Sequence, residues 1–419
     1  MFTVNHQLIS KAEYNALIEA YHLLEPFQTS KHICYAICAT DAAMVITMVQ
    51  LIREHGHSVL LLYGETPLDT ARELSAEAGC RWLFYGSVRE IHPIQSTEKL
   101  RGALPSLYQF SSGTTGGPKL IGRTWTEIEK EIAAYNEVLY QHGLGDCEPV
   151  ILTSITHSFG LITGVLSALQ RGVEPFICQS SNSKYMLQCM LSRPKHLVYA
   201  VPTLLQLLLP WLTHGIAAGH RLHAVISSGA PLPLNVYQLL DEQTERLIQQ
   251  YGCTETGCVS LAVGMKGFDD LGFALSHIKV EASSYPSELM LTTCSGREIR
   301  SGDLGTEAPD GRLRFIGRLD DLINVSGLKV HPLEVEHVIA RMEGVQEVVV
   351  YRGQHLVTGD SVKAMVVGDH TVTEDSIRAW CQKSLPTYKV PSEVELVQEI
   401  PRLPSGKISR RLLIQGGLG

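Results

Sequence analysis

No excess of basic residues, no pair of cysteines two residues apart and no long uncharged apolar run occurs in this 419-residue chain. Each absence closes off a class of function. With 35 Lys and Arg against 43 Asp and Glu, the formal net charge is -8, and no basic stretch offers an electrostatic footing for nucleic acid. The 10 cysteines are scattered, and neither they nor the histidines cluster at ligand spacing, so a structural zinc site is not expected. Mostly buried free thiols in a reducing cytoplasm are expected instead. The most apolar early stretch, Ile33 to Ile52, is interrupted by Asp41, Thr47 and Gln50. It reads as strand then helix, not as a membrane span. The first residues, Met1 to His6, lack a basic region followed by an apolar core, so no secretory leader is expected. No fixed-period repeat or low-complexity tract stands out. What remains, 44% apolar and 19% charged, is a globular protein too long for one ordinary core.

From about His32 the pattern alternates. Strand-like runs at His32 to Ala39, Ser58 to Tyr63 and Arg81 to Tyr85 are separated by helical runs at Asp41 to Glu54 and Asp69 to Ala78. After an interruption the alternation resumes with strands near Pro149 to Ser154, Pro175 to Gln179, Leu197 to Val201 and Leu222 to Ser228. Helices near Leu161 to Leu169 and from Thr203 fall between them. Such alternation predicts an α/β fold with largely parallel sheets. Past Arg318 the grammar changes to a helix over Pro332 to Met342, strands over Glu347 to Arg352 and Val362 to Val367, a helix opened by Thr373, and a short strand near Val394. We therefore expect a large core over residues 1–318 and a small α+β lid over 319–419.

The interruption is the most informative stretch. Residues Leu107 to Lys119 run from a strand-like segment into Ser111, Ser112, Gly113, Thr114 and Thr115, then Gly116, Gly117, Pro118 and Lys119. Glycines allow turns that aim successive N–H groups at one anion, and hydroxyls add donors, which together make a phosphate-gripping loop. The common nucleotide P-loop is excluded, because Pro118 and Leu120 stand where it needs glycine and a Mg-binding hydroxyl. Further along come Tyr251-Gly252-Cys253-Thr254-Glu255, then Arg300-Ser301-Gly302-Asp303-Leu304, which reads as an acid in a tight turn. Gly317-Arg318-Leu319-Asp320-Asp321 leads into Ile323 to Lys329, and Pro404-Ser405-Gly406-Lys407-Ile408-Ser409-Arg410 comes last.

In this order and spacing, over roughly residues 30 to 410, the set resembles the acyl-adenylate-forming superfamily of acyl- and aryl-CoA ligases, adenylation domains and luciferases. The resemblance implies a large multi-layer adenylation domain under a mobile lid, with a first subdomain shorter than in most relatives. It also implies ATP and Mg²⁺, and a phosphopantetheine thiol of CoA or a carrier protein as acceptor. Ser111, Ser112, Gly113, Thr114, Thr115 and Lys119 would hold the β- and γ-phosphates. Thr254 would touch the α-phosphate, and Glu255 would bind the metal through hard carboxylate oxygen. Tyr251 and Gly252 belong to the same motif. Ser227, Ser228, Gly229 and Ala230 would lie along adenine, while Asp303 and Arg318 would clamp the ribose. Lys407 would neutralise charge between the substrate carboxylate and the α-phosphate. Asp320 would be the lid hinge, with Asp321 an ordinary solvated acid beside it. Gly327 and Lys329 would face the thiol arm.

Thr156-His157-Ser158-Phe159-Gly160 matches the motif that walls the acid pocket in this superfamily, with Cys253 nearby. Relatives that activate amino acids carry Asp where this chain has Ser158, and dihydroxybenzoate relatives usually carry Asn. A buried serine cannot neutralise an ammonium, so an acid without an α-amino group is favoured. His157 and Phe159 suit a flat ring. The resemblance thus points to an aromatic-acid ligase of secondary-metabolite biosynthesis, cytoplasmic, acting as a monomer or homodimer. The competing readings are a medium-chain acyl-CoA synthetase and a non-catalytic nucleotide-binding scaffold.

Overall fold

The computed structural model describes residues 1–29, 31–95, 102, 104–111, 119–213, 219, 221–355, 359–402 and 408–415. The predicted alternation is present, with boundaries shifted by up to three residues. Asp41 caps the helix Ala42–Glu54 by accepting from two backbone N–H groups, as a short carboxylate at that position should. Among the described residues the strands form sheets of thirteen, six and five.

The six-stranded sheet is parallel through Trp82–Tyr85, Cys34–Cys38, Ser58–Leu62 and Ser106–Ser111, then closes antiparallel with Lys119–Thr124. Ser111 pairs with Lys119, so the two strands approach each other at the ends of the phosphate loop. The thirteen-stranded sheet has two halves. Its parallel half runs through Glu148–Ile151, His196–Ala200, Leu222–Ser227 and Thr244–Cys253. Beyond Thr244–Cys253 every pairing is antiparallel, through Gly257–Val263, Asp270–Ala274, Leu313–Arg318 and Glu298–Glu307. The expectation of largely parallel sheets therefore holds where the sequence alternates, in the six-stranded sheet and in this parallel half, and not in the antiparallel wing. The antiparallel wing lacked helical runs between its strands, and the seam between the halves falls at the Tyr251 motif.

One apolar cluster joins both large sheets through the helices Ala42–Glu54 and Trp125–Gln141. Apolar residues of the five-stranded sheet and its helices Pro332–Ala340 and Glu374–Gln382 form a separate cluster. Two cores make two lobes. They touch where Phe268 packs on His337 at a centroid distance of 3.9 Å and Asn235 Nδ2 donates to the Gln346 carbonyl at 3.0 Å.

The helix expected near Leu161 is π-helical over Phe159–Leu166 before becoming α-helical at Ser167–Arg171. Gly160 lies in its first turn, where a Cβ would stand 2.3 Å from the Ser154 carbonyl oxygen. Only glycine lets the chain double back so tightly after the His157 motif. Widened turns of this kind often accompany functional sites.

Candidate active site

The seam carries the Tyr251 motif. Thr244–Cys253 and Gly257–Val263 form a hairpin whose ladder slips between Tyr251 and Gly252, and Thr254 and Glu255 sit half-buried in the turn at its tip. A Cβ on Gly252 would lie 2.1 Å from the Gly257 carbonyl oxygen, which explains the glycine. Arg297 Nη2 donates to the Glu255 carbonyl at 2.8 Å, fixing the tip. Cys253 Sγ lies 3.1 Å from Thr256 Oγ1, and burial pushes the thiol up to about 11, so it stays neutral.

Asp303 lies on the strand Glu298–Glu307, opposite Arg318 on Leu313–Arg318. The expected tight turn is corrected: Ser-Gly-Asp here makes a kink within a strand, where Gly302 takes φ +70°. Tyr251 Oη donates to Asp303 Oδ2 at 2.7 Å and Arg318 Nη1 to Oδ1 at 2.8 Å. Arg318 Nε reaches Asp320 Oδ1 at 3.1 Å. Three sequence motifs thus meet in one hydrogen-bonded chain. Burial raises the Asp303 carboxyl above its ordinary value, against the pull of Tyr251 and Arg318. Burial and the neighbouring Asp303 also raise Tyr251, which keeps its proton and remains a donor. Each carboxylate oxygen retains a free lone pair, enough for two adjacent hydroxyls.

Ser227 ends the strand Leu222–Ser227, beside Thr244–Cys253 in the sheet, with Ser228, Gly229 at φ +92° and Ala230 following. Ser227 Oγ is buried without a hydrogen-bond partner among the described residues, a donor held ready for something else. These residues sit at the carboxyl ends of parallel strands, where open α/β sheets bind ligands. The Glu255 carboxylate at the hairpin tip offers hard oxygen of the kind Mg²⁺ takes from one or two carboxylates, completing its shell from phosphate and water.

At the acid-pocket motif, His157 is exposed and Ser158 and Phe159 are half-buried. The expectation of a buried serine is corrected to that extent. Phe159 packs on Tyr199 at 5.5 Å. Ser158 Oγ donates to Gln109 Oε1 at 2.6 Å, and Gln109 Nε2 donates to the Thr156 carbonyl at 2.6 Å. Lys119 is exposed at the edge of its strand. Gly327, φ +88°, and Ser326, φ +51°, form a two-residue hairpin turn that sets Lys329 on an exposed strand of the lid, apart from the Asp303 network. Ser112, Gly113, Thr114, Thr115 and Lys407 lie outside the described residues.

Three features escaped the sequence. Gln109 is one. The second is an ion pair between Arg123 and the fully buried Glu131, whose Oε1 also accepts from Cys258 N at 2.7 Å. It bolts the strand leaving the phosphate loop to the hairpin carrying Glu255. The third overturns a reading: Asp321 is not a solvated acid. It accepts from Arg410 Nη1 at 2.9 Å, while Arg410 Nη2 reaches Glu336 at 2.7 Å and Nε the Val350 carbonyl at 2.8 Å. All ten cysteines are free, eight of them buried. No described helix is long and apolar enough to cross a membrane.

Residues 19–281 match the model of the AMP-binding enzyme family and residues 334–407 that of the AMP-binding enzyme C-terminal domain. A 3,4-dihydroxybenzoate–[aryl-carrier protein] ligase of Bacillus anthracis is 41% identical over 424 residues, covering 99% of each chain. A 2-succinylbenzoate–CoA ligase of Listeria monocytogenes is 26% identical over 73% of this chain and 68% of its own. Among solved structures, ATP-bound MatB from Rhodopseudomonas palustris superposes with a TM-score of 0.85 at 20% identity, covering 99% of this chain and 95% of that one. An O-succinylbenzoate CoA synthetase from Bacillus subtilis with ATP and magnesium superposes with a TM-score of 0.81 at 19% identity, over 98% and 96%.

Proposed function

The chain belongs to the AMP-binding enzyme family, and from that premise we propose that it activates a hydroxylated aromatic acid as its adenylate and passes the acyl group to an aryl carrier protein. The observation that carries this reading is the Tyr251–Asp303–Arg318–Asp320 chain, a ready clamp for a ribose, beside the Thr254–Glu255 tip. The near full-length similarity to the 3,4-dihydroxybenzoate ligase supports the ring and the acceptor.

The substrate carboxylate oxygen attacks the α-phosphorus of ATP, the bond to the bridging oxygen breaks, and pyrophosphate leaves. The thiol then attacks the acyl carbonyl and AMP leaves. Little covalent help is needed from the protein; positioning and charge neutralisation do the work. Asp303 accepts the ribose hydroxyls, Ser227 to Ala230 border the adenine, and Thr254 donates to the α-phosphate. Glu255 would hold Mg²⁺, whose charge would screen the triphosphate. Ser111 to Thr115 and Lys119 grip the outer phosphates, and Lys407 balances the charge on the pentavalent phosphorus. His157, Ser158, Phe159 and Cys253 border the acid. The boundary lies between Arg318 and Leu319, and rotation about Asp320 brings Gly327 and Lys329 to the pantetheine arm. The enzyme works in the cytoplasm, where its thiols remain reduced.

The test is direct. Incubated with ATP, Mg²⁺ and 3,4-dihydroxybenzoate, the protein should yield an aryl-AMP detectable by mass. With a phosphopantetheinylated aryl carrier protein added, that protein should gain the mass of one acyl group. Transfer to CoA but never to a carrier protein would overturn the acceptor, and no adenylate from any aromatic acid would overturn the reading as a whole.

A further inference from the structure

Gln109 is the last buried side chain on the strand running into the phosphate loop, 5% exposed. Its amide is fixed at both ends, by the Thr156 carbonyl at 2.6 Å and Ser158 Oγ at 2.6 Å. A carbonyl oxygen can only accept, so the NH₂ end must face Thr156 and the amide oxygen must face Ser158. The Ser158 proton is therefore committed inside the protein. Toward any bound acid, Ser158 offers lone pairs alone. Without Gln109 the hydroxyl would rotate freely and serve as donor or acceptor equally.

We infer that Gln109 is a specificity-determining positioning residue, which holds Ser158 as an obligate acceptor so that the pocket selects an aromatic acid carrying a phenolic hydroxyl there. A substituent that can only accept, such as a fluorine, an ether or a second carboxylate, meets lone pairs with lone pairs. The inference rests on the proposed reading of Ser158 as a wall of the acid pocket. It adds to that reading the polarity of the hydrogen bond and the residue that sets it. The same amide ties Thr156 and Ser158 to the strand Ser106–Ser111, so the acid pocket and the phosphate loop share one support.

Acid-dependent pyrophosphate exchange with near-isosteric pairs, 3- and 4-hydroxybenzoate against the 3- and 4-fluoro acids, reads this out as a ratio of kcat/KM. Wild type should prefer the hydroxyl at one position by on the order of tenfold or more. In Gln109→Met the ratio should fall toward one, partly because the fluoro acid improves, with KM for ATP unchanged. Gln109→Glu, protonated at this buried position so that its hydroxyl donates to the Thr156 carbonyl and its carbonyl oxygen accepts from Ser158, should keep the preference. If Gln109→Met does not fold, Gln109→Asn, which withdraws the amide by one methylene, carries the same expectation. In a Ser158→Ala background, Gln109→Met should have no further effect on the ratio. A wild-type ratio in Gln109→Met, where Ser158→Ala abolishes the preference, overturns the inference and leaves the pocket reading standing. Equal loss for every acid also overturns it, since that is what a merely structural role would do. If Ser158→Ala itself leaves the ratio untouched, the pocket reading falls and the inference with it.

Discussion

Asp303 concentrates the conflict between burial and function at a single residue. Burial raises its carboxyl, and Tyr251 and Arg318 hold it in place without cancelling that cost. Because the folded pKa is raised, the folded state favours the protonated acid. Stability contributed by this group is full below the ordinary value of 3.8 and declines as pH rises through the folded value. Asp303→Asn therefore should move the unfolding midpoint little at neutral pH. It should raise KM for ATP by about ten- to a hundredfold, the equivalent of losing about 1.5–3 kcal/mol of charge-assisted hydrogen bonding. Thermal melting and exchange kinetics on the same sample check both halves; an unchanged KM would remove Asp303 from the ribose. The acid itself was legible in the sequence but its setting was not. Ser-Gly-Asp has turn composition, and only the pairing with Arg318 reveals a strand. Gln109 and Asp321 were illegible for a similar reason. Their partners stand 49 and 89 residues away, and no local pattern encodes such a contact.

At the scale of elements, the site is held by two braces that join segments distant in sequence: Gln109 with Ser158, and Glu131 with Cys258. Arg123 and Glu131 link the phosphate-loop hairpin, the helix Trp125–Gln141 and the Glu255 hairpin. Gly257, φ +75°, leaves no room for a Cβ, which would sit 2.3 Å from Glu131 Oε2. Removing one partner of a buried pair strands the other charge, so Glu131→Gln should cost about 3–5 kcal/mol in urea unfolding. KM for Mg·ATP should rise with it, because the Glu255 tip loses its footing. The double variant Arg123→Met/Glu131→Leu should recover most of the stability but not the KM. Recovery of neither, or no loss at all, would contradict the brace. The regular elements were easier to read than the braces. Alternation located the parallel strands and intervening helices because apolar periodicity is local. The antiparallel wing escaped, its strands being joined by turns with no helix to mark them.

Across the whole molecule, the lid rests on the core through Phe268 and His337. Burial, reinforced by Arg341, lowers His337 from 6.5 to about 4. A lid lifted off the core would take up a proton near 6.5, so the contact is at full strength above that pH. It weakens as pH falls toward 4 and loses nothing further below. Limited proteolysis around residues 319–322 should therefore speed up across that window in wild type but not in His337→Gln; parallel profiles would remove His337 from the contact. The hinge has its own test. Asp320→Pro fixes φ and removes an N–H, and should leave adenylate formation largely intact while impairing transfer to the thiol. Loss of both half-reactions in parallel would rule the hinge out. Two lobes were foreseeable from chain length and from the change in pattern after Arg318. Their contact was not, because it depends on side chains that meet only once both lobes have folded.

Acid-dependent ATP–pyrophosphate exchange over a panel of acids decides whether this site adenylates a hydroxylated aromatic acid. Dihydroxy- and hydroxybenzoates should support exchange far above any proteinogenic amino acid or medium-chain fatty acid, and Lys407→Ala should lower the best rate by about 10²–10³. A panel led by an amino acid, or wild-type exchange in Lys407→Ala, would be incompatible with a hydroxylated aromatic substrate activated at Lys407.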